Sequence, residues 1–341
     1  MLKLDTLSQR FENFATFECA GSSQLYEFLS LKVAQDNDLL YLCTKARDGQ
    51  PAPNLLFGSV HHLLLSGKQH ELSDYFPSLT KQPKKITDSF ESFKNFCEMY
   101  QDEIILLLQT KLVQTNEVRR CGYLYPCFSY IYSRIHKPLA LIEIGTSAGL
   151  QLFWDRYRYS YNTGKLYGNH LSDVLIKSEI KGMDEPYLLT ESPPVSHRFG
   201  LDLHINDVTD PEDAGWLNAL IWPEHHERRE LFQNAARYVN KEEVTFIEGD
   251  GVSLFPQIID QISKDSMICV FHTHVANQIP EDIKHQLQEN IKKIGQTRDI
   301  AHIYNNIWDK ELHIDSFMEG AEQTQIVGET DGHGRWFQWK I

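Results

Sequence analysis

The chain has 341 residues, 41% of them hydrophobic and 11% aromatic, and carries a formal net charge of −14. That length supports one large or two ordinary domains with a real core. The charge argues against nucleic acid as a partner, because only short basic spots such as Lys84-Lys85 and Arg119-Arg120 interrupt it.

No apolar run approaches the ~20 residues that a membrane-spanning helix needs. The start, Met1-Leu2-Lys3-Leu4-Asp5, lacks the apolar stretch of a secretory signal. A cytoplasmic protein with no membrane partner is the expectation. The six cysteines, at 19, 43, 97, 121, 127 and 269, form no Cys-x-x-Cys pair, so reduced, mainly buried thiols are expected.

Residues 1–137 read as a helical N-terminal domain or cap. Apolar side chains recur at helical spacing in Leu7, Phe11, Phe14 and Phe17, and again in Leu25, Phe28, Leu29 and Val33, with Ser22-Ser23 placed to cap the second run. Pro53 suits the first turn of a helix reaching Leu65. Asp88 with Glu91 resembles a capping box that opens one long helix ending near Lys111.

From 138 to 341 the pattern changes to strands alternating with helices. Strands are predicted at 139–144, 197–203, 244–248, 267–272 and 300–307, which argues for a parallel, doubly wound α/β sheet. Tyr157, Tyr159 and Tyr161 alternate into the turn Asn162-Thr163-Gly164, so 157–196 reads as a β-rich insertion able to roof a site. The alternation in Arg335-Trp336-Phe337-Gln338-Trp339-Lys340 suits a last antiparallel edge strand. Trp222-Pro223-Glu224 reads as a helix start with a mainly structural role.

The most informative stretch is Leu139-Ala-Leu-Ile-Glu-Ile-Gly-Thr-Ser-Ala-Gly149, a strand stopped by a glycine turn and followed by an amphipathic run. A helix opening there would aim its first N–H groups at the strand tip, where open α/β sheets bind ligands. Two chemistries fit. Glu143, Gly145, Ser147 and Gly149 follow the Glu-x-Gly-x-Gly-x-Gly pattern of S-adenosylmethionine sites, with Ser147 at the middle glycine. Gly145-Thr-Ser147-Ala-Gly149 is also Gly-x-Ser-x-Gly, a hydrolase nucleophile elbow, for which His333 and Asp250 would complete a triad. A turn that merely lets helix pack on strand is the bland alternative.

Further candidates follow downstream. Asp202 ends the second strand, where an acidic residue takes ribose hydroxyls, although the usual spacing of ~20 residues from the loop is stretched by the insertion. Asp250, after the third strand, is placed for the adenine side. His272 and His274 end the fourth strand at positions i and i+2, which share a face in a regular strand. Either can act as a base toward a methyl acceptor. With no third ligand nearby in sequence, no metal site is expected. Asn116, Glu117 and Arg120 precede the sheet and are assigned to the acceptor pocket.

Taken together, several motifs resemble a bacterial family of uncharacterised proteins with a class I methyltransferase-like fold. They are Gln114-Thr-Asn116-Glu117 with Arg120, the glycine loop continuing to Asp155-Arg-Tyr157, Tyr167-Gly168 and Gly200-Leu-Asp202. Trp216-Leu217, Trp222-Pro-Glu224 with Arg228, Phe271-His-Thr273 and Gly334-Arg-Trp336 complete the set. The resemblance implies a Rossmann-like core behind a helical N-terminal region, and no particular substrate. The expected function is S-adenosylmethionine-dependent methylation of a small molecule or protein. A Ser147 hydrolase and a non-catalytic binding protein are the alternatives. Gly149→Val is expected to fill the turn and abolish cofactor binding without unfolding the chain.

Overall fold

The computed structural model describes residues 2–182, 184–241 and 243–341. The chain divides into two compact units: 1–115 with 209–229, and 116–208 with 230–341. The break therefore falls at 115/116 rather than at 137/138, and a segment from the second half of the sequence joins the helical unit.

In chain order the helices are α1 (Leu2–Asn13), α2 (Gln24–Val33), α3 (Asn37–Cys43), α4 (Ala52–Leu65), α5 (Ser89–Met99), α6 (Gln101–Thr110), α7 (Cys121–Ile135), α8 (Pro211–Ala219), α9 (His226–Val239), α10 (Gly251–Ile258) and α11 (Glu281–Gly295). Helices α1 to α6 and α8 build the first unit. A π-helix, Phe14–Cys19, continues α1. As expected, Ser23 caps α2, accepting the Tyr26 N–H. Glu224 assists from far along the chain, accepting from the Ser23 hydroxyl and the Leu25 N–H. A carboxylate at a helix N-terminus is favoured by the aligned peptide dipoles. The single long helix expected after Asp88 is two helices, because Tyr100 leaves the helical region at φ −110° and ψ 29°. Asp102 and Glu103 then supply an acidic first turn for α6.

The strands are β1 (Leu139–Ile144), β2 (Arg158–Ser160), β3 (Leu166–Gly168), β4 (Leu175–Lys177), β5 (Glu179–Lys181), β6 (Val195–Asp202), β7 (Thr245–Glu248), β8 (Met267–His272), β9 (Ile300–Asn305), β10 (Glu311–Met318), β11 (Ala321–Glu329) and β12 (Trp336–Gln338). The second unit is mixed α/β, built on a seven-stranded, mostly parallel sheet in the order β7-β6-β1-β8-β9-β10-β11. β7, β6, β1, β8 and β9 are parallel, and the β10–β11 hairpin closes one edge antiparallel. β1 and β8 are buried along their whole length, as continuous apolar runs in a parallel sheet require. β11 is mostly exposed and polar at its start, which guards the edge against further pairing.

From β1 the chain adds β6 and β7 on one side, then returns to add β8 and β9 on the other. Order reverses between β1 and β8, and in open α/β sheets ligands bind at the carboxyl ends beside such a reversal.

Two expectations about the periphery change. The insertion forms a small sheet, β3-β2-β4, that packs on α7 and on the segment after the glycine loop: the Tyr161 hydroxyl donates to the Gly122 carbonyl, the Tyr125 and Tyr159 rings lie 4.2 Å apart, and the Tyr159 hydroxyl donates to the Trp154 carbonyl. The Trp336 segment is not an edge of the main sheet. β12 pairs in parallel with β5, in a separate two-stranded sheet.

Candidate functional site

The carboxyl ends of β1 and β8 meet in the second unit, with Glu143 paired to Phe271 across the two strands. Five stretches remote in sequence converge there: 116–120, 143–151, 273–274, 305–306 and 331–335.

The glycine loop sets the geometry. Gly145, Ser147 and Gly149 all have positive φ, at 75°, 51° and 73°. For Ser147 this is an uncommon conformation, held by its surroundings. The two glycines also leave no room for a Cβ: it would lie 2.3 Å from a Val275 methyl at Gly145 and 2.7 Å from the Phe246 ring at Gly149. Gly149→Val would thus drive a branched side chain into Phe246 at a strained φ. Loss of fold stability, rather than a simple block of ligand binding, is the consequence.

After the loop comes a kinked 3-10 helix, Leu150–Arg156, rather than an α-helix. The loop N–H groups are not aimed outward. Gly145 and Thr146 both donate to the Leu201 carbonyl, and Gly149 donates to Thr146. Ser147 N–H donates to Asp202 Oδ2 at 2.7 Å, and Ala148 N–H donates to Asn116 Oδ1 at 3.2 Å. Every N–H from 145 to 149 is therefore used inside the protein.

Ser147 Oγ accepts from the side-chain amides of Asn116 and Asn206, each at 2.9 Å. Among the described residues no imidazole is hydrogen-bonded to it. The His333 ring is instead committed to Glu117, and Asp250 caps α10 through the Val252 N–H and the Ser253 hydroxyl. The three members of the elbow reading are not brought together.

Glu143 is 4% exposed. Burial, reinforced by the Asp202 charge, pushes its carboxyl up to about 8, against the opposing Thr146 hydrogen bond and the Arg120 charge. Thr146 Oγ1 donates to it at 2.6 Å. Arg120, also buried, ties β8 to the C-terminal segment. Its Nη1 donates to the Thr273 carbonyl and hydroxyl at 3.3 Å, and its Nε donates to the Gly332 carbonyl at 2.9 Å. Asn116 spends both ends of its amide on the glycine loop. Both residues are thus hydrogen-bonded to backbone groups of the converging segments.

The two histidines part company. His274 has φ 61°, which ends the strand alternation, so the expected shared face is lost. His272 is fully buried on one face of the sheet, its ring 5.1 Å from that of His302. Burial, with Lys284 nearby, lowers its pKa to about 3. It lies in the interior rather than at the ligand edge.

His274 stays in the polar cluster. Its N–H donates to Asn305 Oδ1, and Asn306 Nδ2 donates to its Nδ1 at 3.3 Å. With Asn306 so oriented, the neutral ring carries its proton on Nε2, which is buried and has no hydrogen-bond partner among the described residues. Burial, then the Arg120 and His333 charges, lower its pKa to about 4 against an opposing Asp331. That makes His274 a donor and a poor base.

A second imidazole is held by a buried carboxylate. Glu117 is 2% exposed, and its Oε2 accepts from His333 Nδ1 at 3.0 Å. Nε2 of His333 is left with the lone pair, on a half-exposed ring. This carboxylate–imidazole pair fixes the tautomer a general base needs. Sequence separation of 216 residues hid the pairing, although both residues lie in recognisable motifs. Leu203, 77% exposed at the tip of β6 immediately after Asp202, also escaped the sequence reading.

Residues 8–339 match the bacterial family described as "Uncharacterized protein conserved in bacteria (DUF2332)". The chain belongs to that family. No curated protein and no solved structure matches it. No helix of the described residues is long and apolar enough to cross a membrane, and no group of three or more metal-ligating side chains among them is placed to hold an ion.

Proposed function

We propose that this family member binds S-adenosylmethionine at the carboxyl edge of β1, β6 and β7 and transfers its methyl group to a small-molecule or protein acceptor. The observation that carries the reading is the internal pairing of all the loop N–H groups from Gly145 to Gly149. A phosphate-bearing cofactor needs such groups bare. Instead, the strand tips present carboxylates: Glu143, Asp202, Glu248 and, just beyond, Asp250. An acidic edge without a phosphate cradle suits a nucleoside that is cationic and has no phosphate.

The strand order β7-β6-β1-β8-β9 supports a Rossmann-like arrangement, in which the acidic residue at the second strand tip meets the ribose. Asp202 would take the ribose hydroxyls, and Asp250 the adenine amino group. The exposed Leu203 side chain offers an apolar surface to the flat base. Glu143 would release its proton to face an ammonium group. When bound, the cofactor supplies a methyl group activated by a sulfonium. On the protein side, His333 Nε2 takes a proton from an acceptor O–H or N–H, Glu117 stabilises the resulting imidazolium, and His274 Nε2–H orients the acceptor.

Calorimetric titration with S-adenosylhomocysteine tests the reading. Micromolar binding should weaken at least tenfold in Asp202→Asn, which keeps an oxygen for the Ser147 N–H while removing the charge. No binding by folded protein, or equal binding by the variant, would overturn it.

A further inference from the structure

The first unit contains two adjoining hollows, of about 450 and 230 Å³, that share Arg10, Gly49 and Gln50 as lining. Neither belongs to the site above. The smaller is lined by three cations, Lys3, Arg10 and Arg47, against one carboxylate, Asp48. Both guanidinium groups lack an ion-pair partner among the described residues. On a chain of net charge −14, such a concave basic spot concentrates anions. Guanidinium groups match the oxygens of a phosphate.

The larger hollow has a different character. Phe14, Phe17 and Pro53 give it apolar walls, Asn13 and Asn54 supply amides, and Glu18, beside Asn54, adds one carboxylate. Phe17 is 80% exposed. It sits on the π-helix Phe14–Cys19, a local widening that occurs disproportionately at functional sites. A flat ring can lie against Phe17, with the amides meeting its polar edge.

We propose that the paired hollows bind an organic phosphate monoester with a flat, hydrogen-bonding body, of the nucleoside monophosphate class. The phosphate occupies the smaller hollow between Arg10 and Arg47, and the base lies against Phe17 in the larger. Arg10 stands at the boundary and serves both. No bond is made or broken, so the site is one of binding.

The test is calorimetry on the full chain at low salt, with adenosine 5′-monophosphate as probe and inorganic phosphate and adenosine as controls. The monophosphate should bind at least tenfold more tightly than either control. Arg10→Ala and Arg47→Ala should each weaken it severalfold, and the double variant should abolish binding with an unchanged melting temperature, since both side chains are exposed. Phe17→Ala should weaken the nucleotide but leave phosphate binding alone. Asp202→Asn should leave the binding that depends on Arg10 and Arg47 unchanged, which separates this site from the edge of the sheet. Three results would overturn the proposal: no binding of the monophosphate, binding insensitive to the double variant, or binding lost in Asp202→Asn.

Discussion

Glu143 holds its proton in the folded protein at pH values where an unfolded chain has lost it, and this makes it a source of pH-dependent instability. Its pKa stands at about 8 against an ordinary 4.5. Between those values the native state binds more protons than the unfolded state, so stability falls as pH rises. At about 1.4 kcal/mol per unit, the loss reaches roughly 3 kcal/mol at pH 7 and approaches about 5 kcal/mol above pH 8. Glu143→Gln is close to the protonated form in shape and retains an oxygen for the Thr146 hydroxyl. It should therefore leave stability unchanged near pH 4.5 and raise it progressively toward pH 8.5. Urea unfolding at fixed pH steps between those limits measures this directly. Wild type should lose midpoint steadily while the variant stays flatter, with equal m-values. Parallel pH profiles for the two proteins would refute the buried, protonated carboxyl. A gain in stability from replacing an ionisable group at a strand tip is also the mark of a residue kept for binding rather than for folding.

Two more outcomes follow from the packing. His272 is neutral in its buried position, and its lowered pKa means that the native state resists protonation while the unfolded state does not. Its contribution is complete above pH 6.5 and is lost as pH falls toward 3, amounting to about 2 kcal/mol by pH 5. His272→Phe should make acid unfolding shallower, as followed by circular dichroism, and an unshifted acid midpoint would count against it. At Gly149, even Gly149→Ala meets both the positive φ and the Phe246 ring at 2.7 Å. A loss of about 2–4 kcal/mol is expected from strain and overpacking together. A variant as stable as wild type in thermal melts would show that the loop relaxes freely.

Much of the sheet was legible in the sequence because parallel core strands are buried on both faces and read as unbroken apolar runs. β1 and β8 match their expected limits of 139–144 and 267–272. The Ser23 cap was equally legible, since capping uses a side chain and a backbone N–H within three residues. The long helix after Asp88 was misread because the apolar periodicity continues through Tyr100, and only the backbone shows the break. At the site, Glu143 and Ser147 were found from the loop pattern. The partners of Ser147, however, are remote: Asn116 and Asn206 reach its hydroxyl only once the sheet has formed.

Local chemistry in the sequence determined which segments become strands, where the glycine turn falls, and that acidic residues stand at or next to the ends of three of the strands. Tertiary structure decided the rest. It turned the loop N–H groups inward, because Asp202 and Asn116 arrive there to accept them. It sent His272 to the interior and His274 to the polar cluster, because one left-handed residue breaks the strand's alternation. It joined Glu117 to His333 across 216 residues. Contacts of that kind depend on how strands are ordered across the sheet, and no local pattern of residues encodes that order.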